Sequence, residues 1–293
     1  MWILVTLAAA GFQIARTSEQ HRLRGLLGVA EAGYVRFVYA FPMAVIVSSI
    51  WFATAGVLPT PEVEFWLWVL LAGVLQIIAT MALLHAFRLR DFAVGTVYSK
   101  TEVLFVSGAS ALFLDESIGW LGWVGAVVCL AGVAALASRG AVSAILSAGL
   151  DPAAWYGMAA ALGFGMTAVG IRAASTSLAG TAVDRAAITL TAILGIQTFV
   201  QGTALVVSPS SSVLRVFRSW RRAIGIAILS LLGSAAWALA MTLENAAKVR
   251  TLGQVEIVLA FAMGIAVHGE THRRSEYIAG IATVAGIGLM VIA

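Results

Sequence analysis

YSKTEVLFVSGASALFLDE, residues Tyr98–Glu116, is an apolar stretch of helix length that carries Lys100 and Glu102 near its middle and Glu116 at its end. Charges at such depth in a hydrophobic segment are costly, and they persist where a partner, a cavity or a function requires them. Adding 154 to every number, with no gap, leads to LGQVEIVLAFAMGIAVHGE, residues Leu252–Glu270. Glu102 then falls on Glu256 and Glu116 on Glu270, whereas Lys100 falls on Gln254. The chain contains this element twice, and the lysine belongs to one copy alone.

The surrounding sequence explains what kind of element it is. Of 293 residues, 61% are hydrophobic and 11% charged, with a mean hydropathy of +0.97, which describes an integral membrane protein rather than a water-soluble core. The 29 glycines suit close helix packing in lipid, and the 5 prolines lead to the expectation that most helices run unbroken. The net charge of +4 lies mainly in short connections, where basic residues set membrane orientation; binding to nucleic acid is not implied. Cys129, the one cysteine, reads as buried filler. MWILVTLAAAGFQIAR lacks a basic leader and a clear cleavage site, so it is expected to be a retained first span rather than a signal peptide.

A span requires about 20 apolar residues. On that rule ten are predicted: 1–15, 31–55, 63–87, 92–114, 118–137, 153–172, 184–207, 221–243, 247–268 and 275–293. Ala131 and Gly132 map to Ala285 and Gly286 at the same offset, so spans four and five recur as nine and ten. Five spans per copy is an odd number, and the second copy must enter the membrane from the opposite side. The expected fold is therefore an all-α integral membrane protein of ten transmembrane helices arranged as a 5+5 inverted repeat. Residues 1–140 form the first five-helix repeat and 141–293 the second, together one integrated membrane domain. Odd-numbered connections hold 12 arginines and even-numbered ones hold Arg172, Arg185, Lys248 and Arg250, which places the odd connections in the cytoplasm and both termini outside.

LFLDE followed by GWLGWVGAVVCLAGV, and VHGE followed by EYIAGIATVAGI, resemble the repeated signature of the EamA-type family of the drug/metabolite transporter superfamily. YVRFVYAFP, with Arg36 and Phe37, is similar to the Arg-Phe element that opens the family's second span. The resemblance covers essentially the whole chain. It implies a ten-helix inverted-repeat carrier of small metabolites, amino acids or drugs, often working outward, with both termini in the cytoplasm. Members often carry proline just after the residue matching Glu102; Val103 and Ile257 stand there in this chain, which argues against a kink at those positions.

Glu102 and Glu256 are the central candidates, as substrate contacts or as proton-coupling groups, with bonding between helices as the plainer role. Lys100, two residues from Glu102, points elsewhere around a helix. It either faces Glu256, binds an anionic part of a substrate, or extends its ammonium toward water. Tyr98, four residues before Glu102, is placed to donate its hydroxyl to that carboxylate. Arg36 either reaches the membrane surface or pairs with a carboxylate. Trp237 and Gln13 are candidate lining residues, while Gln76, His85, Gln197 and Gln201 read as packing contacts or interface anchors. Glu116 and Glu270 lie about 21 Å from the central pair at 1.5 Å per residue, where they cap helices or fix hairpins. His85, His268 and His272 show no metal-binding spacing, and no cofactor is implied.

No HExxH or GxSxG with a placed histidine supports an intramembrane enzyme. A helical scaffold or receptor fits the span count, but an inverted repeat with charges at matching depth favours alternating access. The reading is a secondary transporter in the cytoplasmic (inner) membrane, carrying a small metabolite, amino acid-like, nucleoside-like or drug-like. Export is what the resemblance implies, proton coupling is one role open to the two glutamates, the bilayer and the solute are its partners, and the sequence leaves direction, coupling ion and oligomeric state open.

Overall fold

The computed structural model describes residues 1–23, 29–89, 92–138, 152–208, 213–268 and 273–293, and among these every regular element is an α-helix. In chain order they are α1 (Trp2–Leu23), α2 (Val29–Val38), α3 (Ala40–Thr54), α4 (Val63–Leu89), α5 (Phe92–Lys100), α6 (Glu102–Leu114), α7 (Gly119–Ala137), α8 (Pro152–Thr176), α9 (Ala182–Val207), α10 (Val213–Arg218), α11 (Trp220–Leu243), α12 (Ala246–Gly253), α13 (Val255–His268) and α14 (Arg274–Ile292). Seven stretches among the described residues are long and apolar enough to cross a membrane: Ala30–Thr54, α4, α7, α8, α9, the greater part of α11, and α14. Trp2–Arg16 is apolar but shorter, as expected of the first span, although α1 itself continues to Leu23.

Expected spans four and nine fall outside that set because each is broken. Span four divides at Thr101 into α5 and α6, and span nine divides at Gln254 into α12 and α13. The expectation that most helices run unbroken meets its exceptions in these two spans and in span two, which is interrupted at Tyr39, one turn before Pro42. Neither break in spans four and nine falls on proline. In the first central break, Thr101 N–H bonds to Tyr98 O at 3.2 Å and Leu104 N–H to Thr101 O at 3.0 Å. In the second, Gln254 N–H bonds to Thr251 O at 3.0 Å and Ile257 N–H to Gln254 O at 3.1 Å. Each is a short 3₁₀ turn set into an α-helix. Side chains supply what a proline ring would otherwise impose: Thr101 Oγ1 donates to Tyr98 O at 2.6 Å, and Gln254 Nε2 donates to Arg250 O at 3.2 Å. Hydroxyls and amides that bond to backbone carbonyls one turn earlier compete with the regular ladder and bend it.

The chain forms two compact units, each drawing on both halves of the sequence. Unit 1 comprises Met1–Ile77 and Gly170–Glu244; unit 2 comprises Ile78–Val169 and Asn245–Ala293. The boundary passes through α4 and through α8, and between α11 and α12.

In unit 1, α1 packs on α11, and α2, α3 and α11 pack on α9. One apolar cluster joins Tyr34, Val35, Leu205, Val216 and Ile226; a second joins Phe65, Val69, Ala72, Leu178 and Ile193. Polar bonds fix the register of this unit. Trp51 Nε1 donates to Asp184 Oδ1 at 2.7 Å, and Ser48 bonds to Thr191 at 2.9 Å. Gln197 Nε2 donates to Gln76 Oε1 at 2.6 Å, and Gln201 Nε2 to Ala30 O at 3.1 Å, the helix-packing role expected of these glutamines. Thr181 and Asp184 cap α9 reciprocally, so the Trp51 bond begins from an anchored carboxylate.

Unit 2 is built on the contact between α7 and α14, the glycine- and alanine-rich spans five and ten. A Cβ added at Gly132 would lie 2.7 Å from Ala279 O, and one at Gly286 would lie 2.7 Å from Gly125 O. Both glycines allow a backbone approach that alanine would obstruct. These contacts are reciprocal in the repeat register, since 132 and 286 differ by 154, as do 125 and 279. Higher numbers on α7 meet lower numbers on α14, so the helices cross antiparallel. Cys129 is buried in this seam. The outer surface of unit 2 presents Leu112, Trp120 and Ile281, at 76%, 77% and 70% exposure, a surface suited to lipid.

Candidate functional site

Unit 2 brings the two central glutamates to the two helix breaks. Glu102 is the first residue of α6, and Glu256 is the second residue of α13. Each reaches the other copy's helix. Both carboxylate oxygens of Glu102 lie 2.6 Å from Arg250 Nη2, and Gln254 Nε2 donates to Glu102 Oε1 at 3.2 Å. Glu256 accepts from Lys100 Nζ in a close ion pair. Of the three positions the sequence left open for Lys100, the structure shows the one facing Glu256.

The repeat register organises these contacts. Gln254 is the counterpart of Lys100, so each glutamate meets the residue two places before the other glutamate. In one direction that residue is a cation and the contact is an ion pair. In the other it is a neutral amide, and Arg250, one helical turn earlier on α12, supplies the missing positive charge. The counterpart of Arg250 is Thr96, so this cation, like Lys100, departs from the repeat. Among the described residues, Glu102 and Glu256 thus face Arg250 and Lys100, two charges of each sign.

The pairs are not equally enclosed. Glu102 has 3% of its side chain exposed, against 15% for Glu256 and 14% for Lys100. A carboxylate as enclosed as Glu102 is tolerated because one arginine and one amide answer it. The positive end of α6 adds a smaller favourable term, since a carboxylate in a helix's first turn meets free N–H groups.

Tyr98 does not take its expected place. Its hydroxyl is not bonded to Glu102, and its Cβ lies against Gly157 of α8, 2.5 Å from where a Cβ on that glycine would stand. The 3₁₀ turn at Thr101 lies between residues 98 and 102, and the regular i,i+4 relation is lost across it. Glu116 serves the hairpin through its backbone: its N–H bonds to Ser110 O at 3.2 Å, and its carbonyl accepts from Asn245 Nδ2 at 3.2 Å. Asp115, at φ 55°, and Gly119, at φ 61°, make the left-handed turns of that hairpin. Glu270 and His272 lie outside the described residues. Among the described residues no three histidine, cysteine or acidic side chains gather as a metal site.

The remaining predicted residues lie in unit 1. Trp237 Nε1 on α11 donates to Gln13 Oε1 on α1 at 3.2 Å. Arg36 on α2 stacks beside the Phe37 ring, 5.4 Å from its centroid, and no described carboxylate binds it. The neighbouring acid on α2, Glu31, is held by Arg215 at 2.8 Å.

Arg250 and Gln254 are the functional candidates that sequence reasoning missed. The charge count assigns Arg250 to the connection preceding span nine, although it lies inside the expected bounds of 247–268. Its spacing held the signal, for Arg250 is one turn before Gln254, which is itself the counterpart of Lys100. Arg172 likewise belongs to the fold rather than to a connection, its Nη1 bonding to Met241 O at 3.0 Å and Thr242 O at 2.9 Å near the end of α11.

No curated protein matches the chain. A protein of known crystal structure is similar in fold, with a TM-score of 0.74 and 14% identity over 99% of this chain and 97% of the other. Residues 2–138, which run from the first residue of α1 to just past the end of α7, match the EamA-like transporter family. Over those residues the chain carries the sequence pattern of the EamA-like transporter family, part of the drug/metabolite transporter superfamily.

Proposed function

We propose that this chain is a secondary transporter that moves a small metabolite, amino acid-like, nucleoside-like or drug-like, outward across the cytoplasmic membrane by alternating access, with protons as the coupling ion. The observation that carries the reading is the pair of crossed contacts at two helix breaks related by the repeat. Broken helices with charged groups at the break recur where carriers bind and release their cargo, because the loosened backbone and the ionised side chains both respond to it.

The reciprocal α7 and α14 contacts, antiparallel and in repeat register, support ten spans arranged as a 5+5 inverted repeat, residues 1–140 and 141–293. The family match supports the first of these boundaries by ending just beyond α7. Glu256 is the better proton carrier of the two glutamates. It faces Lys100 and has the more exposed side chain, whereas Glu102 is fixed by an arginine and an amide. Protonation of Glu256 would release Lys100, and reionisation would recapture it, so one proton would open and close one crossed contact.

Complete pairing also favours a plainer reading, in which the contacts hold α5, α6, α12 and α13 together and nothing more. Flux in proteoliposomes, with and without an imposed proton gradient, separates the two. Transport should follow the gradient in the wild type and lose that dependence in Glu256→Gln. A folded Glu256→Gln protein with unchanged, gradient-driven flux would leave the pairs a structural role, and absence of flux for a broad solute panel would favour a scaffold.

A further inference from the structure

Among the described residues, the cations at span depth are nearly all answered by visible groups. Lys100 faces Glu256, Arg250 faces Glu102, and Arg172 caps the end of α11. Arg36 and Arg185 are the exceptions, and Arg36 lies deeper in its span, in the last turn of α2, whereas Arg185 stands in the first turn of α9. The Nε of Arg36 is closed off from solvent and makes no hydrogen bond, and no ion pair holds its guanidinium among the described residues. Arg16 of α1 lies close enough for its positive charge to act on Arg36. An arginine cannot escape burial by giving up its proton, so an unanswered donor beside a second cation is a standing cost to the fold.

The neighbourhood has more than charge. Gln13 is one turn before Arg16 on α1, on the same face, and its Oε1 is held by Trp237. A guanidinium whose Nε lacks a partner, reached by the charge of a second cation, suits a flat or tetrahedral oxyanion, and the amide and indole one turn from Arg16 suit an apolar body attached to it. Glu31, the acid on the same helix, is already committed to Arg215 and does not compete.

We propose that Arg36, with Arg16 beside it, receives the carboxylate or phosphate of the transported solute, so that the substrate class is anionic. This rests on the transport reading above, but it concerns unit 1 and a different set of residues from the crossed pairs. The same chemistry would also suit an anionic lipid headgroup, and the experiment must separate the two sources.

The full-length protein in neutral detergent would be heated with benzoate, N-acetylphenylalanine, glucose 6-phosphate and inorganic phosphate, at matched ionic strength. The uncharged counterparts benzamide, N-acetylphenylalaninamide and glucose serve as controls. At least one oxyanion should raise the melting temperature while its counterpart does not. Arg36→Gln should abolish the effect, and Arg36→Lys, which keeps the charge and loses the fork, should weaken binding about tenfold or more. Arg16→Gln gives a second route if Arg36→Gln does not fold. Failure of every oxyanion to stabilise the wild type, or full stabilisation of folded Arg36→Gln, would overturn the proposal. Stabilisation by phosphatidylglycerol in nanodiscs, with none by the soluble anions, would assign the site to lipid and overturn the solute assignment. Flux of uncharged solutes that survives Arg36→Gln would sink this inference and leave transport standing; oxyanion binding that depends on Arg36 without any flux would do the reverse.

Discussion

Glu102 is a buried charge made tolerable by its neighbours, and its stability should fail when they are removed. With 3% of the side chain exposed, it depends on Arg250 and Gln254 for its hydrogen bonds. Arg250→Gln should cost about 3–5 kcal/mol, because it leaves an ionised carboxylate enclosed without its cation. The double variant Glu102→Gln/Arg250→Gln should recover more than half of that loss in thermal unfolding, and strictly additive losses would show the two groups to be uncoupled. Lys100→Gln should cost less than Arg250→Gln, since Glu256 is the more exposed carboxylate. The glutamates themselves were legible in the sequence, because a carboxylate recurring at a fixed offset inside two apolar stretches has few innocent explanations. Arg250 was not, because a basic residue close to a span's end looks like an orientation signal until the helix is seen to begin before it. Tyr98 fails as a partner for a related reason: its spacing presumes a continuous helix, and the helix is interrupted.

Among the elements, α7 and α14 were the most readable, since their small residues announce a close contact and the repeat announces that each is the other's counterpart. Their packing makes a quantitative prediction. Gly132→Ala and Gly286→Ala each place a methyl 2.7 Å from a carbonyl oxygen, and the two sites are repeat equivalents. Each should destabilise by about 1–3 kcal/mol, the usual cost of forcing an extra methyl into a packed seam. Melting curves should show losses of similar size, and a large loss at one site with none at the other would contradict the reciprocity. The breaks in spans four and nine were not readable by the rule applied to them. Proline scarcity predicted straight helices, but a bend made by Thr101 Oγ1 and Gln254 Nε2 depends on side chains choosing backbone carbonyls. Gln254→Leu should therefore impair two things at once, the bend in span nine and the amide bond to Glu102. Hydrogen exchange at Thr251–Ile257 in unit 2 should slow if the helix straightens, and unchanged protection would mean that Gln254 does not hold the break.

For the whole molecule, membrane orientation is the largest expectation that the fold leaves to experiment. Removing Arg172 and Arg250 from the even connections, and by the same rule Arg16 and Arg215 from the odd ones, leaves Arg185 and Lys248 against 10 arginines (12 − 2) on the odd side. The ratio increases, and the even connections should face outward. With Cys129 replaced, single cysteines at Thr60 and Ser177 should react with an impermeant maleimide in intact cells; protection of both would place the odd connections outside and favour the family's usual orientation. The two compact units could not have been read from the chain, because each mixes both halves of the sequence and two of the boundaries fall inside continuous helices. The central breaks carry a further consequence. A turn of 3₁₀ winds about 120° per residue and an α turn about 100°, with rises of about 2.0 and 1.5 Å. If the three residues at Thr101 relaxed to α geometry, α6 would unscrew by about 60° and retract by about 1.5 Å. No covalent constraint opposes that motion, because threonine's hydroxyl can let go where a proline ring could not. Such a helix works as a threaded shaft with a releasable catch, and Glu102, mounted on its first turn, would be carried around the axis and away from Arg250.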